Sequence, residues 1–205
     1  MPVSINGNTG VITGLAVGGL PDGTVDADSL ASNAVTAGKL ASGVGGKILQ
    51  VKQAVKTDTA SQGSTSNSYV DISGLSETIT TTGSNKVFIS FNINGGTEGG
   101  YAFFVRIARV TSGTTTGLCV GDAASNRVRC TTGGNSNHAG WESFYQSAEF
   151  LDSPSAGTHT YKIQWSTGTP VSHSPTMYIN RSYTDTDYAW FGRGTSQMTI
   201  MEVSV

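Results

Sequence analysis

From about residue 47 onward, apolar and polar positions alternate with period two. In residues 87–93 (VFISFNI), Val87, Ile89, Phe91 and Ile93 share one face. Residues 101–109 (YAFFVRIAR) set Tyr101, Phe103, Val105 and Ile107 on one side, with Phe104 and Ala108 opposite. Residues 158–166 gather Tyr161, Ile163 and Trp165 against Thr160, Lys162 and Gln164, and the run 198–205 (MTIMEVSV) alternates again. This period, broken by clusters of turn residues, predicts antiparallel strands with one face on a core. Further strands are predicted over 47–56, 68–73, 75–81, 115–121, 127–132, 142–151 and 176–181. The fold expected for residues 47–205 is an all-β, jelly-roll-like antiparallel β-sandwich head. Because both faces of 101–109 carry apolar groups, the face of Phe104 and Ala108 is expected to meet another subunit.

Residues 1–46 follow another pattern. The stretch 24–33 (TVDADSLASN) recurs as 34–43 (AVTAGKLASG), with Val, Ala, Leu, Ala and Ser at equivalent places. Asp26 and Thr36 stand where an N-cap is wanted, and Asn33 and Gly43 where a left-handed C-cap is wanted. Each unit therefore reads as an extended Val, a short capped helical turn and a stop. Upstream, residues 18–23 (GGLPDG) carry a turn signal. Turns this short are unstable alone, and no aromatic residue precedes Tyr69 to supply buried area. Three copies wound about one axis would bury Val25, Leu30, Val35 and Leu40 against each other. The expectation is a homotrimeric, extended anchoring stalk over 1–46; a flexible linker is the alternative.

Composition narrows the partners. Only 13% of residues are charged, against about 25% in an average globular chain. A net charge of -2 gives no electrostatic reason to expect nucleic acid as a partner. No apolar run approaches the ~20 residues of a membrane-spanning helix, so membrane insertion is not expected. The start Met1-Pro2-Val3-Ser4 lacks the basic and apolar regions of a secretory signal, which points to assembly in a cytoplasm. Cys119 and Cys130, on neighbouring strands, could pair; the plainer reading is two small reduced side chains.

The chemistry-bearing residues are sparse. Acidic residues are scattered through the head with no evident pair for glycoside hydrolysis, so an enzyme is not expected. His138, His159 and His173 form no ligand spacing and read as surface or turn residues; no metal and no cofactor are expected. The most suggestive stretch is 183–191 (YTDTDYAWF). Tyr183, Tyr188, Trp190 and Phe191 offer flat apolar faces and Asp185 and Asp187 offer acceptors, a combination suited to a glycan or protein surface. Packing of the same rings into the core or a trimer interface is the alternative. The polar turn 121–127 (GDAASNR) is explained by turn chemistry alone. The acceptor motif Asn180-Arg181-Ser182 is read as accidental.

Several of these segments, in this order, resemble tail-fibre-like virion proteins of phages, marine and cyanobacterial phages in particular. They are GGLPDG at 18–23, the two repeats, GKILQV at 46–51, YVDISGL at 69–75, GDAA at 121–124, THTYKIQW at 158–165, INRS at 179–182 and MTIME at 198–202. The resemblance covers almost the whole chain, and its specificity lies in the order rather than in any one motif. It implies a non-enzymatic virion structural protein assembled in the host cytoplasm, a short homotrimeric tail fibre or tip. Its N-terminus would dock on another virion protein of the tail, baseplate or capsid, and its head would contact host surface glycan or protein. A capsid head-fibre or decoration protein is the near alternative and a glycan-active depolymerase the distant one.

Overall fold

A computed structural model describes residues 4–6, 8, 11–13, 28, 30–32, 34–36, 39, 46–98, 101–135, 140–168 and 174–204. The chain divides into two compact units, Met1–Gly46 and Lys47–Val205. In the first, β1 (Ser4–Asn6) and β2 (Val11–Thr13) form an antiparallel pair that the repeat reading did not anticipate. Tight turns do occur in the repeat: Ala34 N–H donates to the Ala31 carbonyl at 2.9 Å, and Lys39 N–H to the Thr36 carbonyl at 2.8 Å. Leu30 and Val35 are exposed, whereas Val25 and Leu40 lie outside the described residues.

The second unit contains no α-helix among its described residues. Its long strands are β3 (Ile48–Lys56), β5 (Val70–Thr81), β6 (Lys86–Thr97), β7 (Ala102–Thr111), β10 (Phe144–Asp152), β11 (Gly157–Ser166) and β13 (Ser196–Val203). Short strands are β4 (Ala60–Gln62), β8 (Thr114–Leu118), β9 (Thr132–Asn135) and β12 (Met177–Ile179). One sheet runs β3-β13-β6, with β10 also paired to β6 and β12 linking β6 to β4. The other runs β5-β11-β7-β8, with β9 also on β7. All pairings are antiparallel, and they nest: β3 with β13, β5 with β11, β6 with β10, β7 with β8.

One core fills the space between the sheets. Val87, Ile89, Phe91 and Ile93 of β6, with Met198 and Ile200 of β13, face Phe103, Val105 and Ile107 of β7 and Tyr161, Ile163 and Trp165 of β11. The inward rows are thus those read from the alternation, and the second unit is a β-sandwich. Phe103 packs edge-on to Phe144 of the opposite sheet, ring centroids 5.2 Å apart. Asp152 of β10 bridges the sheets, accepting from Arg109 of β7 at 2.5 Å and from the Tyr161 hydroxyl of β11 at 2.7 Å.

The structure departs from the sequence reading at several points. Residues 68–73 and 75–81 are one strand, not two. β5 carries an irregularity where Lys162 pairs with Ser76 but Gln164 with Asp71. Gly74, at φ 85°, takes the left-handed conformation there without a Cβ penalty, so that Ile72 and Leu75 both point inward. Residues 127–131 are loop. On the face expected to meet another subunit, Ala108 is buried within the chain and the half-buried Phe104 ring lies against the backbone of Gly133 and Gly168. His159 is buried rather than at the surface, because both ring nitrogens find partners. Its Nε2 donates to the Ser155 carbonyl at 2.9 Å, and Nδ1 lies 2.7 Å from the Thr111 hydroxyl. Both cysteines are free thiols, Cys119 exposed and Cys130 half-buried. His138 and His173 lie outside the described residues.

A second apolar row crosses the outer face of the first sheet. Val51 pairs with Met201, Met201 with Phe88, and Phe88 with Leu151, so the four stand in line on one face across β3, β13, β6 and β10. Val51 is 54% exposed and Leu151 45%.

Candidate functional site

The loop between β12 and β13 is built from its base upward. Asn180 follows β12 with φ 61°, a left-handed conformation that Asn tolerates better than most residues. Its Nδ2 donates to the carbonyls of Lys56 and Asp58, both at 2.8 Å, and its Oδ1 accepts from the Ser196 hydroxyl at 2.7 Å. The same Ser196 hydroxyl accepts from the Asn94 N–H at 3.0 Å. Gly194 N–H donates to the Asn180 carbonyl at 3.3 Å and closes the loop. One buried side chain therefore joins the end of β3, the start of β13 and both ends of the loop. With Nδ2 so engaged, the Asn180-Arg181-Ser182 motif is a structural joint.

Within the loop, Arg181 Nη1 and Arg193 Nη2 both donate to Asp185 Oδ2, at 2.6 and 2.9 Å. The hydrogen bond from Arg181 is the chief reason the Asp185 carboxyl sits below the usual carboxylate range. The Arg181 guanidinium also lies over the Tyr178 ring, 4.1 Å from its centroid, a cation–π contact that orders the loop's first turn. The loop docks sideways through Thr184 N–H, which donates to the Gly140 carbonyl at 2.7 Å. A Cβ at Gly140 would stand 2.9 Å from both Thr184 Oγ1 and Tyr183 Cδ1, so this approach requires glycine.

That dock brings Trp141 to the loop. Trp141, Thr186, Tyr188, Trp190 and Phe191 line an open cavity of about 570 Å³. Trp190 is 82% exposed, and Trp141 and Tyr188 are each 64% exposed. The Tyr188 and Trp190 rings stand 6.0 Å apart, tilted by 55°. Phe191 N–H donates to the Tyr188 carbonyl at 2.9 Å, a turn that fans the rings outward. These rings are not core: a set of large aromatic faces is held toward solvent by a braced loop.

Of the residues singled out in the sequence, Tyr188, Trp190 and Phe191 come together. Asp187 is exposed on the same loop, Asp185 braces its arginines, and Tyr183 packs toward Tyr178 with centroids 5.9 Å apart. Trp141 was missed. Its only signal was its place just outside the alternation of β10, where an aromatic residue has no inward position to take. Among the described residues, no group of three or more His, Cys, Asp or Glu side chains is placed to hold a metal ion. Three further acids of the head are tied into the fold, Asp58 to Lys56, Asp71 to Lys162 and Gln164, and Glu202 to Gln50 and Asn85.

No family model and no curated protein sequence matches this chain. Among solved structures, it is similar to a chain in the structure of infectious bursal disease virus, Gx strain, at 12% identity and a TM-score of 0.36. That match covers 77% of this chain but spans only 38% of the length of the other, and a likeness of that size carries no argument about function.

Proposed function

We propose that this chain is a non-enzymatic virion structural protein of a bacteriophage, a homotrimer anchored through residues 1–46 on another virion protein, whose head binds glycan at the host surface. The observation that carries the binding role is the solvent-facing aromatic cavity of Trp141, Tyr188, Trp190 and Phe191. Exposed rings of this size are costly to leave in water. Their flat faces suit the C–H faces of sugar rings, and the neighbouring Asp187 offers an acceptor for hydroxyl groups. The nested pairing of first strand with last supports a jelly roll, an architecture shared by viral capsid and lectin domains. The row Val51–Met201–Phe88–Leu151 supports packing of heads against one another. The ordered resemblance of the chain to tail-fibre-like proteins supports the virion role. Tail fibre or tip is the leading position on the particle, with capsid decoration the alternative.

The test is adsorption. Purified full-length protein should bind susceptible cells and slow adsorption of the phage. Trp190→Ala should weaken binding roughly tenfold or more, as an aromatic hot spot does, while leaving the midpoint of unfolding nearly unchanged because the ring is exposed. Equal binding by Trp190→Ala and Trp141→Ala would remove the cavity from the account. Protein that fails to compete with the phage, and whose loss weakens the capsid, would place it on the shell.

A further inference from the structure

A second cavity, of about 460 Å³, opens elsewhere on the head, lined by Asn67, Tyr69, Arg106 and residues 125–129. Its chemistry is the opposite of the aromatic site. Three arginines, Arg106, Arg127 and Arg129, contribute to it; among the described residues no carboxylate lines it, and Asp71 lies behind Arg106 through Gln164. We propose that this cavity binds the oxyanion substituents of an acidic polysaccharide, carboxylate or sulfate, through Arg106, Arg127 and Arg129. This is a site separate from the aromatic cavity and independent of it.

The cavity is built rather than accidental. Arg106 reaches it from β7, with Nε held by Gln164 Oε1 at 2.8 Å and the guanidinium lying over the Tyr69 ring, 4.0 Å from its centroid. Tyr69 donates its hydroxyl to the Arg129 carbonyl at 2.9 Å, and Arg129 Nε donates to the Gly121 carbonyl at 2.6 Å. The loop carrying Arg127 and Arg129 is pinned at its ends by Gly121 N–H to the Cys130 carbonyl at 3.2 Å and Thr131 N–H to the Val105 carbonyl at 2.9 Å. Backbone strain collects here too. Ser66, Asn67, Cys119 and Ser125 all have φ between 48° and 68°, and two of them, Asn67 and Ser125, line the cavity itself. Non-glycine residues held in this region cost free energy, and such sites cluster where a ligand is held.

Two guanidiniums keep unused donors. Arg127 is exposed, and among the described residues its side chain has no hydrogen-bond partner; the exposed Arg129 commits only Nε. Burial lowers the pKa of Arg106, an effect that Asp71 partly opposes, and a bound anion would add to that compensation. The protein as a whole carries a net charge of -2, so attraction of a polyanion has to be local. Nucleic acid fits less well, because the single aromatic ring of the cavity is already covered by Arg106 and is not free to stack on a base. Asn67, Ser125 and Asn126 supply neutral donors and acceptors suited to sugar hydroxyls.

The experiment is calorimetric titration of the full chain with dextran sulfate, polygalacturonate and neutral dextran at low salt. Binding to one or both polyanions and none to dextran is expected, with the better of the two identifying the oxyanion. Arg127→Gln should weaken that binding about tenfold or more, the loss of a charge-assisted hydrogen bond. Because Arg127 supports nothing else, the variant should fold. Lys52→Gln, which removes an exposed charge outside the cavity lining, should leave it unchanged. Failure of both polyanions to bind would overturn the proposal, as would equal losses in Arg127→Gln and Lys52→Gln. Tighter, Arg127-dependent binding of a single-stranded oligonucleotide would overturn it in favour of nucleic acid.

Discussion

Asn180 is the residue whose removal should cost this fold most for its size. Asn180→Ala deletes three side-chain hydrogen bonds, one to the buried Lys56 carbonyl, one to the part-buried Asp58 carbonyl and one from Ser196. At a net contribution of about 1 kcal/mol each, they sum to roughly 3 kcal/mol. Alanine would also be held at φ 61°, a conformation that costs a residue with a Cβ about 1 kcal/mol or more. The expected loss is therefore about 4 kcal/mol. Asn180→Asp keeps the shape and the acceptor for Ser196 but turns the donor into an oxygen facing two carbonyls, so it should be about as damaging at neutral pH. Urea unfolding followed by Trp165, which is buried, reads both variants; a Trp141→Phe/Trp190→Phe background removes the exposed indoles. With a slope of about 2 kcal/mol/M, the midpoint should fall by about 2 M at fixed protein concentration. A fall of less than about 0.5 M in both variants would refute the reasoning, because the joint would then be incidental to the fold.

Two further outcomes follow from the geometry. The Asp185 carboxyl is held low by Arg181 and then Arg193. A depressed folded pKa means that the brace is fully present above the unfolded value of about 3.9 and is lost as pH falls through the lower folded value. Trp190 fluorescence and glycan binding should therefore be flat from neutral pH down to about 5. Below the ordinary carboxylate pKa they should change, and Asp185→Asn should remove that acid transition while loosening the loop at neutral pH. The intact chain should sediment as a trimer, and Val51→Glu should shift it toward monomer with little change in circular dichroism. A wild-type monomer at micromolar concentration would count against the packed outer row and the trimeric stalk alike.

The inward faces of β6, β7, β11 and β13 were legible because each runs long enough for period two to separate its sides. The partners were not. Every strand alternates in the same way, so a single sequence does not say that β13 pairs with β3 and β6 rather than with its neighbours in the chain. β4 and β9, three and four residues long, are too short to show a period, and Gly74 reads as a break although it serves as a bulge. The aromatic loop stood out by composition. What composition could not supply was Trp141, which is remote in sequence and reaches the loop where Thr184 N–H docks on the Gly140 carbonyl. The work done by Asp185 was hidden for the same reason, since Arg193 reaches it only once the loop has closed on Asn180. The basic cavity was hidden more deeply, because its arginines come from a strand and a loop whose composition alone reads as an ordinary turn.

The nesting of first strand with last also sets when the head can form. β3 acquires its sheet partner only after residues through 203 have been synthesised, since β13 lies between β3 and β6. Pairings so distant in sequence pay their loop-closure entropy before any contact rewards it. The head should therefore fold slowly, in milliseconds to seconds, and late in synthesis. Residues 1–46 are synthesised before the first sheet of the head can close. In the proposed trimer, copies made on neighbouring ribosomes would meet through that early segment before any of their heads had closed, so chain contact would precede head closure.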